Sequence, residues 1–202
     1  MNEISDREAL QAHVGQVSPR AEKKVMPRLD GHCRHFIGLS PFLVIATTDA
    51  EGRLDASPRG DPPGFVRVLS DTTLLLPDRP GNNRVDSLAN VLVSPGVGLV
   101  FFVPGVEETL RVNGSATLTT DAGLLSGSDV NGRVPKTGLL IHIDEVFFHC
   151  AKALKRSRLW DPAAQIERTA FPSLGRILAD QQGLDAAEAD AGIAVSYRDK
   201  LY

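Results

Sequence analysis

The chain has 202 residues, of which 42% are hydrophobic and 23% charged, and its formal net charge is -3. This length suits one domain, and the nearly balanced charge gives no support to a nucleic-acid partner held by phosphate neutralisation. The two cysteines, Cys33 and Cys150, lie far apart and form no Cys-x-x-Cys motif, so a structural zinc site has no scaffold and a reducing compartment is favoured.

Three helical pieces are predicted in the N-terminal segment, residues 1–40. Ser5-Asp6-Arg7-Glu8 matches a capping box, Ser18-Pro19 places a proline at the first position of a second helix, and Asp30 is a candidate cap for a third. The first residues, MNEISDREALQ, are polar and acidic, unlike a signal peptide. The most apolar runs, 42–46 and 97–103, are too short to cross a bilayer. We therefore expect a cytoplasmic protein without a membrane partner.

From residue 42 the pattern changes to short runs rich in β-branched and aromatic residues, which are typical of strands. Their connections are mostly of hairpin length, which predicts a largely antiparallel sheet, and few exposed edges favour a closed barrel. One helix is expected between strands, with Val85, Leu88, Ala89 and Leu92 at helical spacing and Asn82 or Asn83 as its cap. The expected strands are 42–48, 53–57, 64–69, 72–76, 97–103, 109–120 and 139–149.

The fold class predicted is therefore mainly β with peripheral α-helices. We expect a single domain over residues 1–202, with a helical N-terminal extension at 1–40 and a helical C-terminal segment at 150–202. On the last strand, Leu139, Ile141, Ile143 and Glu145 are expected to share one face.

Two irregular stretches between strands carry arginines. The first, SPRGDPPGFVRVL at 57–69, is longer, stiffer and more charged than a hairpin requires. The second, PDRPGNNRVDSL at 77–88, leads into the predicted helix. A helix N-terminus attracts phosphate, so convergence of Arg59 and Arg84 there would form a phosphate clamp, with Ser57 as a hydroxyl donor. The alternative is that both stretches are solvated connections.

Other catalytic signatures are absent from the sequence. It contains no G-x-S-x-G, Walker A or H-E-x-x-H motif. Asp129-Val130-Asn131-Gly132 begins like a calcium loop, but its glycine comes two positions too early, so no metal site is predicted. His142 and His149 are candidate bases on the last strand, with a structural role as the alternative.

The order of these segments, from SPRGDPPGFVRVL and PDRPGNNRVDSL through VGLVFFVPG and ETLRVNGSATL to HCAKALKRSRLW, resembles the pyridoxamine 5′-phosphate oxidase-related flavoproteins. The resemblance covers roughly residues 30–162 and is strongest to a bacterial subgroup of FMN-dependent enzymes. It implies a split β-barrel of about six to seven antiparallel strands, and a homodimer with FMN at the subunit interface. The phosphate positions of the family correspond here to Arg59 and to Asn83–Arg84.

The expected cofactor is FMN. Backbone groups of 77–81 are expected at the edge of the flavin ring, and the three cations after residue 150 are expected to stabilise reduced flavin or bind an acidic substrate. Catalytic residues stay unassigned. The expected cofactor-binding residues are Ser57, Arg59, Gly60, Asp61, Pro77, Asp78, Arg79, Asn83, Arg84, Lys152, Lys155 and Arg156.

The chain also departs from the vitamin oxidases of this family. Those enzymes carry an R-x-V-L-L-K run, whereas Arg59 is followed here by GDPPG, and their C-terminal substrate-binding residues are not recognisable. The resemblance therefore implies flavin binding but not the vitamin substrate. The function predicted is an FMN-dependent oxidoreductase that transfers hydride through flavin N5 to or from a small molecule, with NADH or NADPH as candidate donor. A deazaflavin in place of FMN is a variant, and a non-catalytic protein that stores or senses flavin or haem is the alternative.

Overall fold

The computed structural model describes residues 3–202, so residues 1 and 2 of the predicted N-terminal segment lie outside the described residues. It contains seven strands and eight α-helices, with two short 3-10 turns at Pro162–Ala164 and Arg168–Ala170. The strands are β1 (Phe42–Thr48), β2 (Leu54–Gly60), β3 (Arg67–Val68), β4 (Thr73–Pro77), β5 (Gly96–Phe102), β6 (Thr109–Thr119) and β7 (Gly138–His149). The helices are α1 (Arg7–Val14), α2 (Pro19–Lys23), α3 (Gly31–Leu39), α4 (Asp86–Val93), α5 (Ala122–Ser126), α6 (Lys152–Ser157), α7 (Leu174–Gln182) and α8 (Ala186–Asp199).

All seven strands belong to one antiparallel sheet in the order β2-β1-β5-β6-β7-β4-β3. The two strands at the ends of this order, β2 and β3, are joined by residues 61–66, the proline-rich part of the first irregular stretch. The predicted fold, a mainly antiparallel split barrel with peripheral helices, is confirmed.

The inner face of the sheet forms the core because apolar residues alternate along its strands. Leu43 and Ile45 of β1, Leu99 and Phe101 of β5, and Ile141 of β7 have no exposed surface. Each such side chain stabilises the fold by about 1.5–3 kcal/mol relative to its exposed state. At one end α3 closes the core with Cys33, Phe36 and Ile37, and burial raises the pKa of the Cys33 thiol to about 11, so this thiol is unreactive at neutral pH.

A β-bulge interrupts the pairing of the two longest strands. Asn113 pairs with Glu145 and Gly114 with Ile143, so Asp144 is the extra residue. An extra residue reverses which side chains face inward. The prediction that Glu145 shares a face with Leu139, Ile141 and Ile143 is therefore wrong, and Val146 is buried on that face instead.

Several predicted boundaries were also wrong. The second strand extends to Gly60, so that Arg59 lies on a strand, whereas β3 covers only two residues of the expected 64–69. Helix α5 between β6 and β7 was not predicted. The first helix is capped by Asp6, whose carboxylate accepts from the N–H of Ala9 at 2.8 Å, and not by Ser5.

The last two helices form a hairpin held at its open end by one carboxylate. Asp190 of α8 accepts hydrogen bonds from the hydroxyl of Ser173 at 2.6 Å and from the N–H of Gly175 at 2.9 Å. The cap predicted at Asp30 is present, and Ser18 and Asp185 cap α2 and α8 in the same way. No helix within residues 3–202 is long and apolar enough to cross a membrane.

Candidate functional site

The candidate site begins with a polar face on β2. Asp55, Ser57 and Arg59 are half-buried on one side of this strand, while the residues between them are exposed. Alternation along a strand thus places two potential hydrogen-bonding groups and one guanidinium in a row. The row faces the start of α4.

Arg59 is held in place by three hydrogen bonds. Its Nη1 donates to the carbonyl oxygen of Pro58 at 2.9 Å and to the hydroxyl of Ser57, and its Nη2 donates to the hydroxyl of Ser87 at 3.0 Å. Ser87 is buried in the first turn of α4 and donates in turn to Asp55 Oδ2 at 2.6 Å. This chain of contacts fixes the guanidinium beside the helix N-terminus before any ligand arrives.

The entry into α4 is strained and uncapped. The helix begins at Asp86, and its N-cap position is Val85, which adopts a left-handed conformation with φ 54° and makes no side-chain cap. Asn83 is also left-handed, with φ 57°. For a β-branched residue this conformation costs on the order of 1–2 kcal/mol, and such strain concentrates at functional sites.

The predicted cap at Asn82 or Asn83 is therefore wrong. Asn82 instead accepts from the backbone N–H of Arg84 at 3.1 Å, which closes a local turn before the helix. The helical face also differs from the prediction: Leu88 is buried, but Val85 and Leu92 are exposed. The first-turn N–H groups of α4 are left without a side-chain acceptor, and such groups favour a bound anion.

A cavity of about 440 Å³ lies between β2, the end of β4 and the start of α4. Its lining brings the two arginine-bearing stretches together, as the sequence predicted. Apolar surface comes from Phe65, Val85 and Leu88. The expected cofactor-binding residues that line the cavity are Ser57, Arg59, Gly60, Pro77, Asp78, Arg79, Asn83 and Arg84.

The arginines of this cavity differ in how firmly they are held. Arg84 has a side chain that is 73% exposed, and its Nε donates to Asp86 Oδ2 at 2.7 Å. Arg79 is mostly buried and forms an ion pair with the fully buried Asp61, with Nε at 2.5 Å from Oδ2. Asp61 does not line the cavity, and its oxygens are occupied by Arg79 and by the hydroxyl of Tyr202.

Asp78 is a half-buried carboxylate in the lining of the cavity. Burial raises the pKa of Asp78 above its ordinary value, and the positive charge of Arg59 opposes this shift in part. The carboxyl therefore holds a proton more readily than an exposed aspartate.

The three predicted cations of the C-terminal segment do not reach this cavity within the chain. Lys152, Lys155 and Arg156 all lie on α6, and the ammonium of Lys155 pairs with Glu107 at 2.6 Å. The candidate bases His142 and His149 also lie on exposed parts of β7 and line none of the described cavities.

Sequence reasoning missed Asp55, Ser87 and Tyr202. Asp55 could have been found, because it precedes Ser57 and Arg59 at the two-residue period of a strand. Ser87 lies in the second arginine-bearing stretch, but its contact with Arg59 spans 28 positions and that of Tyr202 with Asp61 spans 141, so neither contact has a local sequence signal.

Comparison with known proteins identifies the family. No curated protein matches the chain. Among solved structures, HupZ of Group A Streptococcus is 18% identical over 59% of this chain and 93% of its own, with a TM-score of 0.49. An FMN-binding protein from Syntrophomonas wolfei is 11% identical over 58% and 83%, with a TM-score of 0.46. HutZ, the haem storage protein from Vibrio cholerae, is 17% identical over 59% and 94%, with a TM-score of 0.42.

Likenesses of this degree carry no functional inference. The family model described as pyridoxamine 5′-phosphate oxidase, in contrast, matches residues 29–150, which is more than half of the chain. The matched range contains both arginine-bearing stretches and all seven strands. The chain therefore belongs to the pyridoxamine 5′-phosphate oxidase family.

Proposed function

We propose that the protein is an FMN-dependent oxidoreductase that binds the cofactor in the cavity of about 440 Å³. One observation carries the proposal: Arg59 is fixed by Ser87 directly beside the uncapped first turn of α4. A pre-oriented guanidinium and free helix N–H groups at one point form the arrangement that recognises a phosphate monoester.

The hydrogen bonds of Arg59 leave a suitable pair of donors free. Of the five N–H groups of a guanidinium, both on Nη1 and one on Nη2 are used by described residues. The N–H of Nε and one N–H of Nη2 remain, and these two donors are available to phosphate oxygens.

The rest of the cavity suits a flavin ring better than haem. Phe65, Val85 and Leu88 offer apolar surface beside the polar loop. None of the residues lining this cavity is a histidine, cysteine, methionine or tyrosine, the side chains that hold haem iron. A bound flavin would itself accept or donate hydride at N5, so the chain needs only to bind, orient and shield it.

The first test is the absorbance spectrum of the purified protein. We expect a yellow protein with non-covalent FMN, or uptake of added FMN measured by quenching of its fluorescence. A colourless protein that takes up no FMN would contradict the proposal.

Anaerobic addition of NADH or NADPH then distinguishes an oxidoreductase from a storage protein. Bleaching of the flavin followed by reoxidation with turnover of an acceptor supports an oxidoreductase. Bound FMN that neither donor reduces, with no turnover on any acceptor, supports storage or sensing instead.

We further propose a homodimer. The apolar strand β5 does not supply the interface, because its side chains Leu99 and Phe101 face the core. Exposed apolar side chains occur instead at Leu54, Leu92 and Val93, with 85%, 69% and 63% of their surface accessible. A self-complementary interface is the commonest way to cover such surface, and it would offer the cations of α6 a route to a neighbouring site.

Sedimentation velocity tests the dimer. We expect a dimer at micromolar concentration, and a shift towards monomer for Leu92→Lys because a buried charge opposes association. Val195→Lys, on exposed surface of α8, is the matched control and should stay dimeric. A wild-type monomer that still binds FMN would exclude an interface site.

A further inference from the structure

The C-terminal arm, residues 166–202, contains α7 and α8 and is bound to the barrel at one residue. Among the described residues, no side chain of the arm belongs to the hydrophobic core of the barrel or packs against it. No ion pair joins the arm to residues 3–165, and both hydrogen bonds between these two parts of the described chain involve Tyr202. The polar contacts of Tyr202 therefore fix the arm to the barrel.

Tyr202 is anchored on a buried ion pair of the barrel. Its hydroxyl donates to Asp61 Oδ1 at 2.7 Å, and its ring centroid lies 5.8 Å from the guanidinium carbon of Arg79. Arg133 donates a hydrogen bond to its main-chain oxygen. The hydrogen bond to Asp61 raises the pKa of the Tyr202 hydroxyl, so the hydroxyl keeps its proton, and its role as donor, at neutral pH.

Asp61 depends on this hydroxyl. Its side chain is 1% exposed, and its other oxygen, Oδ2, accepts from Arg79 Nε at 2.5 Å. Within residues 3–202, no other side chain donates to Oδ1. Release of Tyr202 would therefore leave a buried carboxylate oxygen without a donor or admit water beside the ion pair, and both changes weaken the hold on Arg79.

Arg79 connects these contacts to the cofactor cavity. It lines both the cavity of about 440 Å³ and a second cavity of about 470 Å³, whose wall includes Tyr202. Arg79 belongs to the stretch 77–88, which leads to the start of α4 where the phosphate is proposed to bind. Tyr202 therefore restrains one wall of the proposed flavin site from outside that cavity.

The arm can leave the barrel as one unit because its two helices hold each other. Asp190 of α8 accepts hydrogen bonds from Ser173 and from the main-chain N–H of Gly175 at the start of α7. The helices are in close contact there, since a Cβ at Gly175 would lie 2.3 Å from the Asp190 carboxylate. None of these contacts involves the barrel, so release of Tyr202 does not require the hairpin to open.

We propose that docking of the arm through Tyr202 regulates the proposed flavin site. With the arm docked, Arg79 is restrained and residues 77–88 keep the conformation that binds the cofactor. With the arm released, the wall at Arg79 loosens and the affinity for the cofactor falls. Linkage requires the reverse effect as well: a flavin bound against Arg79 stabilises the docked arm. The proposal rests on the proposed function, because the coupled ligand is the cofactor of that site.

Hydrogen exchange of the full chain, followed by mass spectrometry, tests the coupling. Tyr202→Phe removes the hydroxyl that Asp61 binds, and Tyr197→Phe, on exposed surface of α8, is the matched control. Without flavin, we expect Tyr202→Phe to speed exchange about tenfold or more in the arm, and to speed it in residues 77–88 as well. Strand β5 should exchange as in the wild type, and Tyr197→Phe should change none of these segments.

Two results of this experiment would overturn the proposal without any flavin present. Faster exchange in β5 to the same extent would mean that Tyr202 stabilises the whole fold and not the docking of the arm. Unchanged exchange in residues 77–88 would mean that the arm is not coupled to the cavity.

Addition of FMN tests the reverse effect. We expect bound FMN to slow exchange in the arm of the wild type, and Tyr202→Phe to bind FMN about fivefold or more weakly. Bound FMN that leaves exchange of the arm unchanged overturns the proposal. If the wild type takes up no FMN, the proposed flavin site is contradicted, whereas exchange of residues 77–88 without flavin still decides whether the arm is coupled to the cavity.

Discussion

Arg59→Ala is expected to lower the affinity for FMN by roughly ten- to a hundredfold and to leave riboflavin binding almost unchanged. A hydrogen bond to a charged group contributes about 1.5–3 kcal/mol, and each factor of ten corresponds to about 1.4 kcal/mol. Arg59 should reach the upper part of this range because Ser57 and Ser87 already fix its guanidinium. Fluorescence titration of both flavins measures the difference, since riboflavin lacks the phosphate.

Alanine variants of two further arginines provide comparisons for Arg59→Ala. Arg84→Ala should cost less than Arg59→Ala, because Arg84 is largely exposed and must leave Asp86 to bind phosphate. Arg53→Ala is the matched control: it lies on the hairpin that leads into β2, pairs with Asp49, and is 78% exposed. Equal losses of FMN and riboflavin in Arg59→Ala would mean that Arg59 supports the fold and not the phosphate.

Most of the sheet could be predicted because its signals are local. The run FLVIATT is rich in β-branched and aromatic residues, which predicts a strand, and its buried residues Leu43, Ile45 and Thr47 recur at the two-residue period of a strand. Asp30 and Asp185 cap their helices through contacts three residues away, which the sequence displays directly. The meeting of the two arginine stretches also followed from pattern, since each immediately borders a strand of the same sheet.

Features set by distant contacts could not be predicted. Ser87 reaches Arg59 across 28 positions and Tyr202 reaches Asp61 across 141. Arg67 is a similar case: it is half-buried on β3 and donates to the carbonyl oxygen of Leu124 in the unpredicted helix α5. Tertiary packing, and not local preference, decides these positions.

At the start of α4, in the candidate site, the tertiary structure also overrides a local sequence preference. Two consecutive asparagines before an apolar helix are a strong local signal for a cap. The chain instead places left-handed residues at 83 and 85 and delays the helix to Asp86. The first-turn N–H groups of α4 are therefore without a side-chain cap, and Arg59 lines the cavity at the start of the same helix. A local rule is broken where a ligand is expected to supply the missing acceptor.

Gly114→Ala is expected to destabilise the protein by about 3 kcal/mol or more. A Cβ at this position would lie 1.9 Å from the carbonyl oxygen of His142, which is backbone of the paired strand and cannot rotate away. The clash falls at the bulge between β6 and β7, the longest pairing in the sheet. Relief requires the two strands to separate locally, which breaks ladder hydrogen bonds and disturbs the buried residues on either side.

Thermal unfolding followed by circular dichroism measures this effect, with Gly96→Ala as the matched control. Gly96 lies on β5 opposite Ser115, and a Cβ there would meet no atom within 4 Å. For a domain of this size, about 3 kcal/mol corresponds to a fall in melting temperature of about 6–12 °C. Gly96→Ala should stay close to wild type, because the added methyl group meets open space and the unfolded chain loses freedom. A Gly114→Ala protein that melts together with Gly96→Ala would show that the bulge opens without cost, and the close approach of β6 and β7 at Gly114 would then not limit stability.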